Sequence, residues 1–242
     1  MYFDHASTTR PSRTALDLNM KINSEFYANP ASLHMMGVLA EQKISAATKR
    51  LAGLLGAAPE EIVYTSGGTE ANNLAVFGVC GSNNRVNQRG HIITAHSEHP
   101  SVTEACKRLE QQGAEVTWLA TDNTGAVDLS ELSAAVRQDT ALVSLMHVNN
   151  ETGAIRDITR AAKTVKAKNP AAIFHSDGVQ AFGKLPVTLK NIDLYSMSAH
   201  KIGGLRGVGA LYIKKGVRLT PQIYGGGQQR GIRSGTENTA GI

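Results

Sequence analysis

Three side chains that can take part in covalent or proton-transfer chemistry follow short apolar runs of the sequence: Lys201, Asp177 and His99. A lysine amine attacks carbonyl carbons when partial burial and a nearby cation such as His200 lower its pKa. A buried carboxylate such as Asp177 needs a cationic or protonated partner, and an imidazole such as His99 can move protons or lie flat on a ring. Together they favour carbonyl chemistry on a cofactor that contains a ring.

A fourth feature is Ser66-Gly67-Gly68-Thr69, which runs from a predicted strand into a predicted helix. Glycines at such a turn let backbone N–H groups and the positive end of the helix approach a phosphate. The absence of Gly-Lys-Ser/Thr here, and of a complete Gly-x-Gly-x-x-Gly after any strand, argues against nucleoside triphosphates and dinucleotides. A phosphate cradle, a lysine amine, an acid for a ring nitrogen and an imidazole for a ring face are what pyridoxal 5'-phosphate needs.

Each of these residues also has a purely structural interpretation. The glycine turn could equally be a tight connection with Thr69 as the helix N-cap, and Asp177 could cap a segment that begins at Gly178. Taken alone, Lys201 could be an ordinary exposed lysine and His99 a surface histidine at a helix start. The cofactor hypothesis therefore depends on all of these groups occurring together at strand ends.

The elements that must position these residues alternate along the chain. Short apolar or β-branched runs alternate with longer amphipathic ones, which is typical of an α/β protein with a mostly parallel sheet flanked by helices. The predicted strands are Glu61–Thr65, His91–Ala95, Glu115–Leu119, Ala141–Met146, Ala172–His175, Asp193–Met197 and Gly209–Ile213. The predicted helices are Gly37–Leu55, Thr69–Val79, Pro100–Gln112, Leu129–Arg137 and Ile158–Lys168. Because ligands of such sheets bind at the carboxyl ends of the strands, we expect five polar strand ends to meet at one place.

Composition narrows the classes of function. The net charge of +5 is uneven, because residues 201–242 hold seven basic side chains against one acidic, whereas residues 1–200 hold eighteen against nineteen. This distribution argues against a nucleic-acid partner. No apolar run approaches the roughly 20 residues of a membrane span, two cysteines cannot make a disulfide framework, and the histidines form no metal-binding pattern. The first residues include Asp4, where a secretory signal would need a basic and then an apolar stretch, so we expect a cytoplasmic protein. We also expect no metal and no membrane partner.

Several longer runs occur in a specific order and spacing. They are Asp4-His5-Ala6-Ser7-Thr8-Thr9, Asn29-Pro30-Ala31-Ser32, Thr65-Ser66-Gly67-Gly68-Thr69-Glu70, His147-Val148-Asn149-Asn150-Glu151-Thr152-Gly153, His175-Ser176-Asp177, Ser198-Ala199-His200-Lys201 and Arg233-Ser234-Gly235-Thr236. Over nearly the whole chain these runs resemble the cysteine desulfurases of the NifS and IscS type, which are pyridoxal phosphate enzymes of the class V aminotransferase family. The resemblance implies the large domain of a fold-type I enzyme over residues 16–242, truncated at its C-terminal end. It also implies an N-terminal segment, residues 1–15, that packs with a small C-terminal domain absent from this chain.

The resemblance assigns roles residue by residue. The two catalytic residues it implies are Lys201, which binds the cofactor aldehyde, and His99, which stacks on the ring and moves protons. Asp177 resembles the acid that keeps the pyridine nitrogen protonated, Gln180 the partner of the ring hydroxyl, and Asn150 a contact of cofactor and substrate. The implied phosphate-binding residues are Gly68, Thr69, Ser198 and His200, together with Thr236, which reaches across from the other subunit of a homodimer.

The implied reaction converts L-cysteine to L-alanine and passes the sulfur, as a persulfide on a catalytic cysteine, to an iron–sulfur scaffold or sulfur-carrier protein. In the family that cysteine lies in the small domain. Cys80 and Cys106 do not align with it and lie in or directly at the end of predicted helices, so we expect packing roles for both and incomplete turnover by this chain alone. The alternatives are a selenocysteine lyase-like enzyme and a catalytically silent module for cofactor binding or dimerisation.

Overall fold

A seven-stranded sheet organises the computed structural model, which describes residues 1–81 and 90–242. The strands are β1 (Ile62–Thr65), β2 (His91–Ala95), β3 (Glu115–Leu119), β4 (Thr140–Ser144), β5 (Ile173–Asp177), β6 (Leu194–Ser198) and β7 (Gly209–Ile213). The helices are α1 (Arg13–Glu25), α2 (Met35–Leu55), α3 (Gly68–Cys80), α4 (Pro100–Gln111), α5 (Leu129–Ala135) and α6 (Ile158–Lys168). The strand order across the sheet is β1-β7-β6-β5-β4-β2-β3.

The sheet is parallel except at β7, which runs antiparallel to both of its neighbours, β1 and β6. The other strands therefore all point the same way, and their carboxyl ends share one edge of the sheet. Strands β1, β2, β4, β6 and β7 are buried along their whole length, as expected where helices cover both faces. The predicted α/β class with a mostly parallel sheet is confirmed.

Two apolar cores lie on opposite faces of the sheet. On one face α3 and α4 contribute residues such as Leu74 and Val102. On the other face α2, α5 and α6 contribute residues such as Ile44, Leu132 and Val165. Because both faces are filled, a ligand can approach only at an edge of the sheet.

Within residues 1–81 and 90–242, the sequence predicted every strand of this sheet and five of the six α-helices, with ends that differ by at most two residues. One consequential difference is that β5 extends to Asp177, whose backbone pairs with Ser196 of β6. The helix that was not predicted is α1, which begins after Ser12, whose Oγ accepts the backbone N–H of Ala15. Only Ile22 of this helix is buried.

Gly178, directly after Asp177, packs against a buried aromatic ring. A Cβ on Gly178 would stand 2.0 Å from Cζ of Tyr195, a fully buried side chain whose hydroxyl also contacts Nδ1 of His147 at 3.0 Å. We therefore expect Gly178→Ala to lower the free energy of unfolding by at least about 1–3 kcal/mol, measured by urea denaturation.

Gly53 is the matched control for this substitution. It lies on the exposed side of α2, and nothing stands within 4 Å of the position its Cβ would take. We expect Gly53→Ala to raise the free energy of unfolding by about 0.5–1 kcal/mol, because alanine loses less backbone entropy in a helix. Equal stability of the Gly178→Ala chain and the unaltered chain would contradict the packing described here.

Candidate functional site

A cavity of about 190 Å³ opens at the carboxyl edge of the sheet. It is lined by nine of the ten site residues predicted from the sequence, namely Gly68, Thr69, His99, Asn150, Asp177, Gln180, Ser198, His200 and Lys201. The tenth, Thr236, is exposed and lies outside the lining. The polar residues after five strands therefore meet at one place, as the strand directions require.

The turn between β1 and α3 forms one wall of the cavity. A Cβ on Gly68 would stand 2.6 Å from Cγ2 of Val179, so the backbone at the start of α3 approaches its neighbours closely. Facing it, Ser198 Oγ is buried, has no hydrogen-bond partner in the part of the chain that the structure describes, and would lie 4.0 Å from a Cβ on Gly67. A buried hydroxyl beside a helix N-terminus suits an anionic ligand, which accepts hydrogen bonds from both.

Asp177 contributes a buried carboxylate at the end of β5. Its Oδ1 accepts the backbone N–H of Val179 at 2.9 Å, and its Oδ2 accepts Nδ2 of Asn72 at 2.7 Å. Burial raises the pKa of Asp177, while these two hydrogen bonds and the charges of His99 and Lys201 act in the opposite direction. Asp177 thus caps the following turn with one oxygen and presents a carboxylate at the cavity that a protonated ring nitrogen would stabilise.

His99 is the N-cap of α4 and also lines the cavity. Its Nδ1 accepts the backbone N–H of Ser101 at 3.1 Å and lies 2.7 Å from Ser101 Oγ. The structural and the functional interpretations of His99 are therefore compatible, because capping occupies one ring nitrogen and leaves the other for the cavity.

Lys201 lies in the short 3₁₀ turn after β6, with its amine held by the N-terminal segment of the chain. Its Nζ donates to the carbonyl oxygens of Ala6 at 2.6 Å and Ser7 at 2.7 Å. Burial lowers the pKa of Lys201, the positive charge of Lys184 lowers it further, and the carboxylate of Asp177 opposes both. A lowered pKa increases the fraction of neutral amine, which is the form that attacks a carbonyl.

Lys184 is a neighbouring cation that lowers the pKa of Lys201, and sequence reasoning, which considered His200 for this role, did not identify it. Burial lowers the pKa of His200, and the positive charges of Lys201 and Arg206 lower it further. Nδ1 of His200 lies 3.0 Å from Oγ1 of Thr8. A neutral imidazole adds no like charge beside the lysine, whereas Lys184 does.

Residues 6–9 cover the loop that carries Lys201. Thr9 donates its backbone N–H to the carbonyl of His200 at 2.8 Å, and its Oγ1 accepts the N–H of Gly203 at 2.7 Å. The carbonyl of Ala6 also accepts Nε2 of Gln180 at 2.7 Å. The sequence run Asp4 to Thr9 signalled that this segment matters, but not that its backbone holds the lysine.

Two more residues that sequence reasoning missed, Asn72 and Ser101, line the cavity and connect Asp177 to His99. Asn72 Nδ2 lies 2.8 Å from Ser101 Oγ and 2.7 Å from Asp177 Oδ2. Both residues are buried within helices, Asn72 in the second turn of α3 and Ser101 in the first turn of α4. The one available signal was a polar residue on an otherwise apolar helix face.

A buried ion pair lies behind His99. Arg156 Nη1 is 2.5 Å from Oε1 of Glu98, which also accepts the backbone N–H of Met146 at 2.9 Å. Burial raises the pKa of Glu98 to about 7, while Arg156 and the Met146 N–H act to lower it. This pair ties the segment after β2 to the segment just before α6, and so helps to fix the position of His99, the residue after Glu98.

Cys80 and Cys106 are both buried in helices, as expected, and neither lines the cavity. Burial raises the pKa of the Cys106 thiol to about 12, which leaves it protonated and unreactive at neutral pH. Within residues 1–81 and 90–242 no group of three or more histidine, cysteine or acidic side chains could hold a metal ion. Over the same residues, none of the helices combines the length and the apolarity that crossing a bilayer requires.

Comparison with known proteins places this site in a family. The model of the aminotransferase class-V family matches residues 1–242. Cysteine desulfurase 2 of Trichormus variabilis is 43% identical, covering 100% of this chain and 60% of the relative, and cysteine desulfurase IscS of Proteus mirabilis is 44% identical, covering 98% and 59%. Among solved structures, a NifS-like protein superposes with a TM-score of 0.96 at 41% identity, covering 100% of this chain and 66% of its own. SspA in complex with cysteine gives 0.95 at 36% identity, covering 99% and 69%.

The chain belongs to the aminotransferase class-V family, whose members depend on pyridoxal 5'-phosphate. The curated relatives that it resembles are cysteine desulfurases, and the structures that it resembles are NifS-like fold-type I enzymes. The resemblance stated from the sequence is thereby confirmed. The chain spans about 60% of the length of these curated relatives.

The repulsion between Lys184 and Lys201 is open to test. In Lys184→Met, we expect the pKa of Lys201 to rise, because one of the causes that lowers it is removed, but not to its usual value, because burial remains. The measurement is an NMR titration of the chain after reductive ¹³C-methylation of its lysines. Lys215→Met, at an exposed position outside the cavity, is the control and should leave that pKa unchanged. A fall in the pKa, or no change in Lys184→Met, would count against this electrostatic account.

Proposed function

We propose that this chain is the cofactor-binding portion of a cysteine desulfurase and that its cavity binds pyridoxal 5'-phosphate. The observation that supports this most strongly is the convergence of Lys201, Asp177 and His99 with the glycine turn before α3. An amine of lowered pKa, a buried carboxylate, an imidazole and an anion-binding helix start fit the aldehyde, the ring nitrogen, the ring face and the phosphate of one molecule.

The residues that would hold the cofactor fall into two groups. For the phosphate we propose the backbone N–H groups of Gly68 and Thr69, the ring of His200, and the hydroxyl of Ser198, which has no hydrogen-bond partner among the described residues. For the ring we propose Asp177 at the nitrogen, His99 at the face, and Gln180 and Asn150 around the edge. Thr236 is exposed on this chain, which is compatible with a role in the cavity of a partner subunit in a homodimer.

When bound, the cofactor supplies an aldehyde that captures amines and a ring that withdraws electrons from the captured amino acid. Lys201 supplies the amine, which must leave the carbonyls of Ala6 and Ser7 in order to react. The carboxylate of Asp177 would hold a proton on the pyridine nitrogen of the cofactor. His99 is positioned to carry a proton on Nε2, the imidazole nitrogen that capping leaves available.

For the reaction we propose L-cysteine as substrate and sulfur transfer to an acceptor cysteine, in keeping with relatives that are named cysteine desulfurases. Because Cys80 and Cys106 are buried and lie outside the cavity lining, we propose that the acceptor belongs to another segment or subunit. An iron–sulfur scaffold or sulfur-carrier protein would then receive the sulfur. The homodimer, the cytoplasmic location and the domain division at residues 15 and 16 stay predictions from the sequence.

Covalent labelling tests the cofactor site. We expect the chain, incubated with pyridoxal 5'-phosphate, reduced with borohydride and digested, to carry a pyridoxyl group on Lys201 when examined by mass spectrometry. Lys201→Ala should lose the label, and the exposed control Lys215→Ala should keep it. A folded chain with no label, or with its label on another lysine, would refute the proposed site.

The role of Asp177 predicts a change in affinity. Asp177→Asn retains the shape of the side chain but removes the charge. We expect the cofactor to bind about 10- to 100-fold more weakly, because the substitution removes one charge-assisted hydrogen bond, which contributes roughly 1.5–3 kcal/mol. The measurement is a titration that follows the visible absorption of the bound cofactor. An unchanged affinity would show that Asp177 does not contact a charged group.

Substrate choice is tested separately on the loaded chain. We expect L-cysteine to change the absorption spectrum of the loaded chain. A parallel sample with L-selenocysteine tests the alternative of a selenocysteine lyase-like enzyme, which would respond to the selenium compound. With a reductant present, release of alanine and sulfide measures turnover. A loaded chain whose spectrum responds to neither compound would favour a catalytically silent module.

A further inference from the structure

Asn72 and Ser101 form a hydrogen-bonded connection between the two cavity groups that sequence reasoning left separate. Asn72 Nδ2 lies 2.7 Å from Oδ2 of Asp177 and 2.8 Å from Oγ of Ser101. Ser101 Oγ in turn lies 2.7 Å from Nδ1 of His99. The order of contacts is therefore carboxylate, amide, hydroxyl, imidazole.

The direction of each hydrogen bond follows from what each group can do. The ionised carboxylate of Asp177 only accepts, so the NH₂ of Asn72 must face it, and the second hydrogen of that NH₂ goes to Ser101 Oγ. Ser101 Oγ, having accepted this bond, donates its own hydrogen to Nδ1 of His99. The orientation also leaves Asn72 Oδ1 buried with no partner among the described residues.

The backbone supports the same assignment independently. The N–H of Ser101 donates to Nδ1 of His99 at 3.1 Å, and a backbone N–H can only donate. Nδ1 therefore receives two donors and cannot itself carry the hydrogen of a neutral ring. That hydrogen must be on Nε2, which no hydrogen bond between described residues uses, in a side chain that lines the cavity.

We propose that Asn72 and Ser101 are positioning residues of this site. They hold His99 in the tautomer that carries its hydrogen on Nε2, and they link the orientation of that ring to the carboxylate of Asp177. The meaning of this arrangement for catalysis rests on the proposed function, because an Nε2–H directed at the cavity is what a bound ring or amino acid would meet. The tautomer itself is a property of the chain with or without cofactor.

Two features distinguish this role from ordinary packing. If Asn72 and Ser101 only filled space, an apolar pair of similar volume would do so without a buried amide oxygen. Asn72 Oδ1 is such an oxygen, with no hydrogen-bond partner among the described residues. The adjacent Asn73 shows the alternative, since its Nδ2 donates to the backbone carbonyls of Thr69 and Ser101 and takes no part in the connection. Asn73 therefore provides a matched control of the same residue type on the same helix.

The test is the tautomer of His99, measured by two-dimensional ¹H–¹⁵N NMR of the ring nitrogens in the cofactor-free chain at a pH where the ring is neutral. We expect Nδ1 to be unprotonated and Nε2 to carry the hydrogen. In Ser101→Ala and in Asn72→Ala, we expect the ratio of the two tautomers to shift toward Nδ1–H by about two- to tenfold, the effect of one hydrogen bond. Ser101→Thr keeps a hydroxyl and should restore the original ratio, and Asn73→Ala should not change it.

The proposal is overturned if the unaltered chain carries its hydrogen on Nδ1, or if Ser101→Ala shifts the ratio no more than Asn73→Ala does. The first of these outcomes needs no variant, so a variant that fails to fold does not remove the test. The same spectrum recorded after loading with pyridoxal 5'-phosphate should again show unprotonated Nδ1, and an Nδ1–H ring there would also refute the proposal. A correct tautomer in a chain that takes no label on Lys201 would instead refute the proposed function and leave the positioning roles in place.

Discussion

The carboxylate of Asp177 is buried at the carboxyl end of β5, near the middle of the sheet, and much of the surrounding structure compensates for that burial. Burial raises the pKa of Asp177, and the opposing contributions come from the Val179 N–H, the Asn72 amide, and the charges of His99 and Lys201. These groups belong to four separate parts of the chain. They can meet only because parallel strands bring their carboxyl ends to one edge of the sheet.

The close fit around this carboxylate limits which residues can stand beside it. Gly178 follows it and leaves room for the ring of Tyr195, whose own pKa is raised above its usual value chiefly by burial. Asn72 reaches it from the second turn of α3, a helix whose start also forms the anion-binding wall of the cavity. Helix α3 therefore contributes to both ends of the proposed binding site. The backbone at its start faces the proposed phosphate position, and its Asn72 side chain donates to the carboxylate of Asp177.

The amine of Lys201 is governed by a different balance. Partial burial and repulsion from Lys184 favour the neutral amine, whereas the carbonyls of Ala6 and Ser7 hold it in place as a donor. The segment that supplies those carbonyls is far from Lys201 in sequence and is anchored by Thr9. Reaction at the amine therefore requires Lys201 to give up these hydrogen bonds, because condensation of an amine with an aldehyde removes the hydrogen atoms that the two carbonyls accept.

Nine of the predicted site residues were found at the cavity because each follows a strand or starts a helix, where a polar residue stands out against apolar neighbours. Asn72 and Ser101 were missed because they lie inside helices, where a polar residue looks like part of an exposed face. Helix α1 was missed because its apolar residues alternate along the sequence instead of recurring every three to four residues, as Leu16, Leu18, Met20 and Ile22 show.

The sequence by itself determined the order of strands and helices, the fold class and the identity of the groups that could do chemistry. These depend on local periodicity, on turn residues and on residue types, all of which can be read along the chain. The tertiary structure alone decided that Lys184 rather than His200 is the cation beside Lys201, and that Asn72 and Ser101 join Asp177 to His99. Such pairings depend on distances of a few ångströms between residues far apart in sequence, and only the packed sheet and its helices set those distances.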